Sequence, residues 1–208
     1  MRKRKRPRKK RRAVFVPERR APNERSEILE SKRGTWSAPV ALCVGVALAL
    51  ALQWALLPEG PIWITDNGCK EILLRNFAER GTFALENPAK EIDPEGEFFP
   101  GGFHFRKRGD SFQAIYPELF SFVSCPAWLL LGRGGLLLLP ALGLLAALAG
   151  FLRILSFFRF PSGTAALLGA GLVFGTPLFF YAGTFWETTL AAAFAVWAVD
   201  ARLRGRDV

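Results

Sequence analysis

Histidine and cysteine are scarce in this chain of 208 residues, which has one histidine, His104, and three cysteines, Cys43, Cys69 and Cys125. His104 has no companions at metal-ligand spacing, so we assign it no metal role. An odd number of cysteines without a spacing pattern is weak support for a disulfide, and pairing of Cys69 with Cys125 is left open. Cys43 lies in an apolar run and is expected to be a small core residue. The sequence therefore offers neither a histidine and cysteine metal motif nor a disulfide framework.

Net charge is almost absent beyond residue 34. Residues 1–34 carry 15 Lys and Arg against 4 Glu, or +11, so the whole-chain charge of +10 leaves about −1 for residues 35–208. A basic segment attracts either nucleic acid or anionic lipid. This one contains only one aromatic residue, Phe15, and it directly precedes an uncharged apolar run. Both features favour a cytoplasmic flank beside anionic headgroups, and no nucleic-acid partner is expected.

The basic segment differs from a secretory signal peptide, which has a short charged region and ends in a small-residue cleavage site. Here about 35 residues precede the apolar run, so no cleavage is expected. Prolines stand among the charges of residues 1–34. We therefore predict that these residues form a disordered cytoplasmic tail.

Long apolar runs occupy most of the remaining chain. A membrane span needs about 20 mainly apolar residues, and residues 37–57 are the first such run. A polar stretch at about 58–113 is too mixed in charge to span a membrane. The apolar part after it divides in two ways. It contains either four spans, beginning with residues 116–131, or three spans, with residues 116–131 lying along the membrane interface.

Charge placement separates these two divisions. With the tail inside, three further spans place Arg153, Arg159 and the C-terminal arginines on the cytoplasmic side, whereas four place them outside. Residues 116–131 are also short and contain Pro126, which suits a juxtamembrane helix. We therefore predict an all-α integral membrane protein with about four transmembrane helices and further juxtamembrane helices. The predicted spans are residues 37–57, 136–155, 164–182 and 186–201.

The resulting topology has both termini in the cytoplasm, a large first external loop at residues 58–135, and an inner (plasma) membrane location. Near the start of this loop we predict a surface helix at about 68–80, capped by Thr65 or Asp66 and ended by Gly81. Its apolar side chains are expected to face the membrane and its charged ones to face elsewhere. Residues 87–110 are rich in proline and glycine, and we expect them to be irregular.

Two carboxylates are candidates for chemistry on the external side. Asp66 lies about nine residues past the first span, where it could accept a proton from an attacking hydroxyl. Its alternative role is to cap a helix. Glu187 lies at the outer end of the last span, where an ionisable group is usually functional or paired. Its alternative role is that of a helix N-terminal carboxylate favoured by the dipole.

Three short motifs, in this order on the predicted topology, resemble the N-terminal part of a known family. They are Thr65-Asp66-Asn67-Gly68, Gln113-Ala114-Ile115-Tyr116-Pro117-Glu118-Leu119-Phe120 and Phe185-Trp186-Glu187-Thr188. The family is that of the GT-C type membrane glycosyltransferases, which depend on polyprenyl-phosphate sugars and are related to protein mannosyltransferases and aminoarabinose transferases. The resemblance covers about residues 36–200. Asn67 stands where many relatives have a second acidic residue.

The resemblance implies roles for individual residues. Asp66 matches the family's catalytic aspartate, and Glu187 matches a second acidic position that helps to bind metal, phosphate or acceptor. Lys70, Arg106 and Tyr116 are the implied substrate-binding residues, although solvated surface charge is the more common role for the two cations. No cofactor is certain from the sequence, and a divalent metal ion is left open.

The predicted function is transfer of a sugar from a polyprenyl-phosphate donor to an acceptor on the external face, in contact with membrane lipids. Family members usually have more spans, which implies a C-terminal companion segment or chain that completes the donor site. The alternative is a non-catalytic membrane scaffold or partner subunit.

Overall fold

A computed structural model describes residues 37–56, 65–99 and 103–205 of the chain, and the predicted tail at residues 1–34 lies outside them. The described residues are mostly helical, with one small sheet. The helices are α1 (Ser37–Leu56), α2 (Thr65–Arg80), α3 (Leu119–Leu131), α4 (Arg133–Phe157), α5 (Ser162–Phe174), α6 (Leu178–Ala182) and α7 (Thr188–Leu203). The strands are β1 (Leu85–Glu86), β2 (Phe105–Arg108) and β3 (Ser111–Ala114).

Helices lie where the apolar runs predicted them, although one predicted span is broken. Among the described residues, α1 and α4 are each long and apolar enough to cross a membrane. The run at 164–182 forms two helices, α5 and α6, because the chain leaves the helix at residues 175–177, which include Pro177. Helix α3 has only 13 residues and is followed by Gly132, whose φ of 56° ends it.

Helix α4 is the centre of the bundle, and α7 packs along it in the same direction. Gly143 of α4 meets the backbone of Thr189 near the start of α7, and Gly150 meets Trp197 about two turns further on. The Thr189 hydroxyl donates to the Pro140 carbonyl oxygen at 2.8 Å. Small residues at matched positions let the two backbones approach closely, as in helix pairs within lipid.

A cluster of charged side chains joins α4 and α7 near their C-terminal ends. The buried Asp200 carboxylate accepts from Arg153 Nε at 3.2 Å and from Arg204 Nε at 2.8 Å. The Arg153 guanidinium also lies 5.0 Å from the centre of the Trp197 ring. These contacts place the positive charges of both helices at one end of the bundle.

Helix α1 runs antiparallel to α4 and α7. Near its start, Leu42 approaches Gly169 of α5, which also lies against Leu148 of α4. Near its other end, Gln53 packs onto Gly183, five residues before α7 begins. The first residues of α1 therefore lie at the Arg153 end of the bundle, and its last residues lie at the opposite end.

The outer surface of the bundle is apolar. Every fourth residue of α1 points outward, and each of these large side chains is more than half exposed; they are Val40, Val44, Leu48, Leu52 and Leu56. Exposed apolar side chains continue over α3, α5 and α7, among them Leu130, Leu167 and Phe194. An exposed apolar surface of this extent is unusual on a water-soluble monomer and is suited to lipid.

The prediction of an all-α fold is wrong in one respect, because a small antiparallel sheet lies between α2 and α3. Its order is β1-β3-β2, and β2 pairs with β3 from Phe105 opposite Ala114 to Arg108 opposite Ser111. Gly109, with φ of 63°, makes the turn between them. The expected irregularity of residues 87–110 therefore fails for β2, since glycine at 109 serves a hairpin and not an irregular loop.

Helix α2 ends where predicted, at Gly81 with φ of 69°, but its start and its orientation differ from the prediction. It includes Thr65, so Asp66 lies in its first turn and not in front of it. Its apolar residues Leu73 and Leu74 are buried within the protein, where Leu74 packs with Phe120, and they do not face lipid. The reason is that α3 and the sheet cover this side of α2 and bury it.

The close approach of α4 and α7 gives a test of the packing. A Cβ added at Gly143 would lie 2.8 Å from backbone atoms of α7, whereas one at Gly134, in the first turn of α4, would meet nothing within 4 Å. We expect Gly143→Ala to lower the free energy of unfolding by about 1–3 kcal/mol, because overpacking forces backbones apart. Gly134→Ala is the control and should have no such effect. Thermal unfolding in detergent measures both, and an unchanged G143A variant would contradict this packing.

Candidate functional site

Asp66 is held by the hydroxyl group of a tyrosine from another element. It lies in the first turn of α2, and Tyr116 lies two residues after β3. The Tyr116 hydroxyl donates to Asp66 Oδ1 at 2.6 Å. About one third of the Asp66 side chain is exposed, at 32%. The two residues come from the first two motifs of the family resemblance, and the fold brings them into direct contact.

His104 joins this pair, although no pattern in the sequence indicated a role for it. Its Nδ1 lies 2.6 Å from the Tyr116 hydroxyl and 3.8 Å from Asp66 Oδ1. The imidazole and phenol rings stack with centres 5.6 Å apart. Pairing of β2 with β3 positions it, because the Ile115 N–H donates to the His104 carbonyl oxygen. The Gly109-Asp110 hairpin turn was the signal that could have placed His104 beside Tyr116.

One helical turn after Asp66, Lys70 is buried and paired with Glu187. Lys70 is only 2% exposed, and its ammonium group donates to Glu187 Oε2. Three aromatic rings surround the ammonium group, with centres at 4.9 Å for Trp186, 5.4 Å for Tyr116 and 6.0 Å for Phe120. Lys70 is therefore not a solvated surface charge, which is the more common role for such a cation. The fold encloses its ammonium group between α2, α3 and the start of α7.

Glu187 occupies the residue before the first turn of α7. Its carboxylate makes no capping hydrogen bond to that helix, and it turns to Lys70 instead. The Glu187 side chain is 42% exposed, in contrast to its buried partner. The buried Lys70 ammonium group therefore neutralises the Glu187 carboxylate, while the exposed part of the Glu187 side chain stays accessible to a ligand.

Asn67, which follows Asp66 in the first turn of α2, is buried without a polar partner of its own. It is 3% exposed, and neither its side-chain oxygen nor its nitrogen has a hydrogen-bond partner within the described part of the chain. Buried amides are normally hydrogen-bonded.

Arg106, predicted to bind substrate, does not share this cluster. It is exposed on β2, with its Cα opposite Gln113, and no contact joins it to Asp66, Lys70 or Glu187 in residues 65–99 and 103–205. The neighbouring cations have other partners, since Lys107 pairs with Glu95 at 2.9 Å.

Burial changes the acidity of two groups at the site. Desolvation, then the hydrogen bond from Tyr116 to Asp66, raises the pKa of the Tyr116 hydroxyl well above its ordinary value. Burial, and next the nearby Asp66 charge, raises the pKa of the Cys69 thiol. Tyr116 therefore keeps its proton at neutral pH and remains a hydrogen-bond donor. The thiols of Cys69 and Cys125 are free, so they form no disulfide.

The described residues hold no ready-made cluster of metal ligands. No group of three His, Cys, Asp or Glu residues gathers at a point within the described chain. The Lys70 ammonium group already neutralises Glu187, in the place where a cation would bind. Asp66 and Glu187 thus form a site whose positive charge is supplied by the protein itself.

Comparisons with protein-family models, with curated proteins and with solved structures find no match for this chain. The interpretation of the site therefore depends on its own geometry and on the motifs that the sequence carries.

The unequal burial of Lys70 and Glu187 predicts unequal effects of removing each partner. Glu187→Gln leaves a buried ammonium group unpaired, so we expect it to lower the free energy of unfolding by about 3 kcal/mol. Lys70→Met leaves a carboxylate that water reaches, and we expect a loss of at most about 1 kcal/mol. Chemical unfolding in detergent measures both variants and the double variant.

The control is Glu71→Gln, which removes the partner of the half-exposed Arg75 on the same helix and should cost about 0.5 kcal/mol or less. Equal losses for Glu187→Gln and Lys70→Met would contradict the burial of the Lys70 charge.

Proposed function

We propose that the chain is a membrane glycosyltransferase module that transfers a sugar from a polyprenyl-phosphate donor to an acceptor on the external face. One observation carries this proposal. Asp66, Tyr116, Lys70 and Glu187, which lie up to 121 residues apart in sequence, converge at one end of an apolar helix bundle. A lipid-linked donor would present its phosphate and sugar at the membrane surface, where this end of the bundle would lie.

The topology that belongs to this proposal has four crossings, formed by α1, α4, α5 with α6, and α7, with both termini in the cytoplasm of a cell with an inner (plasma) membrane. Helix directions support it, because α1 begins at the bundle end where Arg153 and Arg204 lie. The basic segment before α1 then shares that side, in accord with the positive-inside rule. Asp66 and Glu187 fall at the other end, which is the external one.

Asp66 is the proposed general base. Its Oδ1 accepts from Tyr116, and its second oxygen has no protein partner among the described residues. That oxygen would take the proton of the acceptor hydroxyl as the hydroxyl oxygen attacks the sugar's anomeric carbon. The bond from that carbon to phosphate breaks, and polyprenyl phosphate leaves with the electron pair. A single displacement of this kind inverts the configuration at the anomeric carbon.

The remaining site residues have supporting parts in this proposal. Lys70 holds Glu187 at the mouth of the site, where the exposed carboxylate would bind hydroxyl groups of the sugar or of the acceptor. Arg106, outside the cluster, would act at longer range by drawing the donor's phosphate to this face.

We expect Asp66→Asn to lower sugar transfer by at least about a hundredfold, because general base catalysis contributes on the order of 10² to 10⁴. The assay uses proteoliposomes of the full gene product, radiolabelled polyprenyl-phosphate hexose and pentose donors, and an envelope extract as acceptor. Asp110→Asn removes an exposed carboxylate of the hairpin turn and is the matched control.

Undiminished transfer by a correctly inserted D66N variant would remove Asp66 from the mechanism. The scaffold alternative predicts that the wild-type protein neither transfers the sugar nor binds the labelled donor.

A further inference from the structure

The arginines near the C-terminal ends of α4 and α7 outnumber the carboxylate that holds them. Asp200 is buried, and its two oxygens accept from Arg153 Nε at 3.2 Å and from Arg204 Nε at 2.8 Å. One carboxylate carries a single negative charge, whereas each guanidinium group carries a positive one. The pairing therefore satisfies Asp200 and leaves one of the two positive charges without a counter-charge.

Most N–H groups of these two arginines are still unused. A guanidinium group has five N–H donors, and each arginine gives its Nε–H to Asp200. Arg204 Nη2 also donates to the Arg153 carbonyl oxygen at 3.1 Å. Both terminal nitrogens of Arg153, and Nη1 of Arg204, have no hydrogen-bond partner in the part of the chain that the structure describes. The Arg153 side chain is 39% exposed and that of Arg204 is 29% exposed, so a ligand is able to reach these nitrogens.

Aromatic rings hold both guanidinium groups in place. The Arg153 guanidinium lies 5.0 Å from the centre of the Trp197 ring, and that of Arg204 lies 5.8 Å from the centre of the Phe157 ring. The Trp197 indole N–H is itself fixed, because it donates to a carbonyl oxygen of α4 at 2.9 Å. Side chains that are already ordered lose little conformational freedom when a ligand binds, which favours binding.

The sequence around this pair adds further positive charge. Residues 150–163 and 197–205 contain four arginines, and Asp200 is their one acidic residue, so their net charge is +3. The other two arginines, Arg159 and Arg202, are exposed. Such an excess attracts an anion to this end of the bundle. Guanidinium groups bind phosphate through paired N–H donors, so a phosphate group suits the unused nitrogens.

The surface beside the arginines is apolar, which favours a lipid over a free phosphate ion. Phe157, Phe158 and Phe160 are each at least 43% exposed, and Phe194, about one turn before Trp197 on α7, is 75% exposed. A free ion gains nothing from these rings. A phospholipid would lay its acyl chains against them while its phosphate group reached the arginines, as at basic sites between membrane helices.

We propose that Arg153 and Arg204 bind the phosphate group of an anionic phospholipid in the leaflet at this end of the bundle. This inference rests on the membrane crossings of the proposed function, but not on sugar transfer. The lipid supplies the negative charge that Asp200 alone does not provide. Because one arginine belongs to α4 and the other follows α7, the bound lipid bridges the two helices and stabilises their pairing.

Thermal unfolding of the purified full chain in detergent, titrated with phosphatidylglycerol, tests this site. We expect phosphatidylglycerol to raise Tm in a saturable way, and we expect phosphatidylcholine, which has no net charge, and inorganic phosphate to have no such effect. Arg153→Gln leaves Asp200 paired with Arg204 but removes one guanidinium group. We expect it to raise the apparent Kd for phosphatidylglycerol about tenfold, because a hydrogen bond to a charged group is lost.

Two further variants separate a built site from general charge attraction. Arg159→Gln removes an exposed arginine of the same end that has no ion pair among the described residues, and it should leave the apparent Kd unchanged. Arg153→Lys keeps the charge but lacks the planar fork, so it should weaken lipid binding nearly as much as Arg153→Gln. Each variant is compared with its own lipid-free Tm, so a change in basal stability does not affect the result.

The outcomes separate this site from the proposed function. Equal weakening by R153Q and R159Q, or equal stabilisation by phosphatidylcholine, overturns the lipid site. Stabilisation by inorganic phosphate alone shows a free-anion site and also overturns it. A protein that binds phosphatidylglycerol as expected but transfers no sugar contradicts only the proposed function, and one that transfers sugar without this lipid response contradicts only the lipid site.

Discussion

The packing of α2 against the start of α7 depends on one buried positive charge. Lys70 projects from α2 into a space closed by aromatic rings, and it reaches Glu187 at the start of α7. An ammonium group removed from water is stable only with such a partner, so α2 can pack here only with its Lys70 face toward α7. Asp66 lies one turn earlier on the same helix. The ion pair therefore fixes the depth and direction of the carboxylate that the proposed chemistry needs.

The two ends of the bundle carry charged sites that differ in how completely their charges are paired. At one end Asp200 pairs with two arginines that clamp α4 to α7, and this pairing is structural. At the other end Asp66 accepts a hydrogen bond from the neutral Tyr116 hydroxyl, and Glu187 remains partly open to solvent. A base and an adjoining exposed carboxylate at the rim of an apolar bundle suit a substrate with a long apolar tail and a polar head.

Hydrophobic patterning predicted the helices well, because an apolar run that must be buried or face lipid can be recognised from the local sequence alone. Gly81 likewise predicted where α2 ends, whereas the break at Pro177 in the predicted span 164–182 was missed. The burial of Lys70 was not predictable in this way, since it depends on Glu187, 117 residues further along the chain. His104 was missed because hairpin register, and not ligand spacing, brings it to Tyr116. Helices α1 and α4 are long and apolar enough to cross a membrane, and the crossings themselves and the sugar-transfer function remain predictions.

The central claim is that the site of Asp66 and Glu187 lies on the external side of the membrane, opposite the arginine cluster. A membrane-impermeant thiol reagent applied to intact cells tests it in a background without native cysteines. The account predicts that cysteines at two exposed positions are both labelled: Asp110, in the hairpin turn of the sheet that carries His104, and Thr176, between α5 and α6. One at Arg159 is labelled only after the membrane is opened. Labelling of positions 110 and 176 from opposite sides would contradict it.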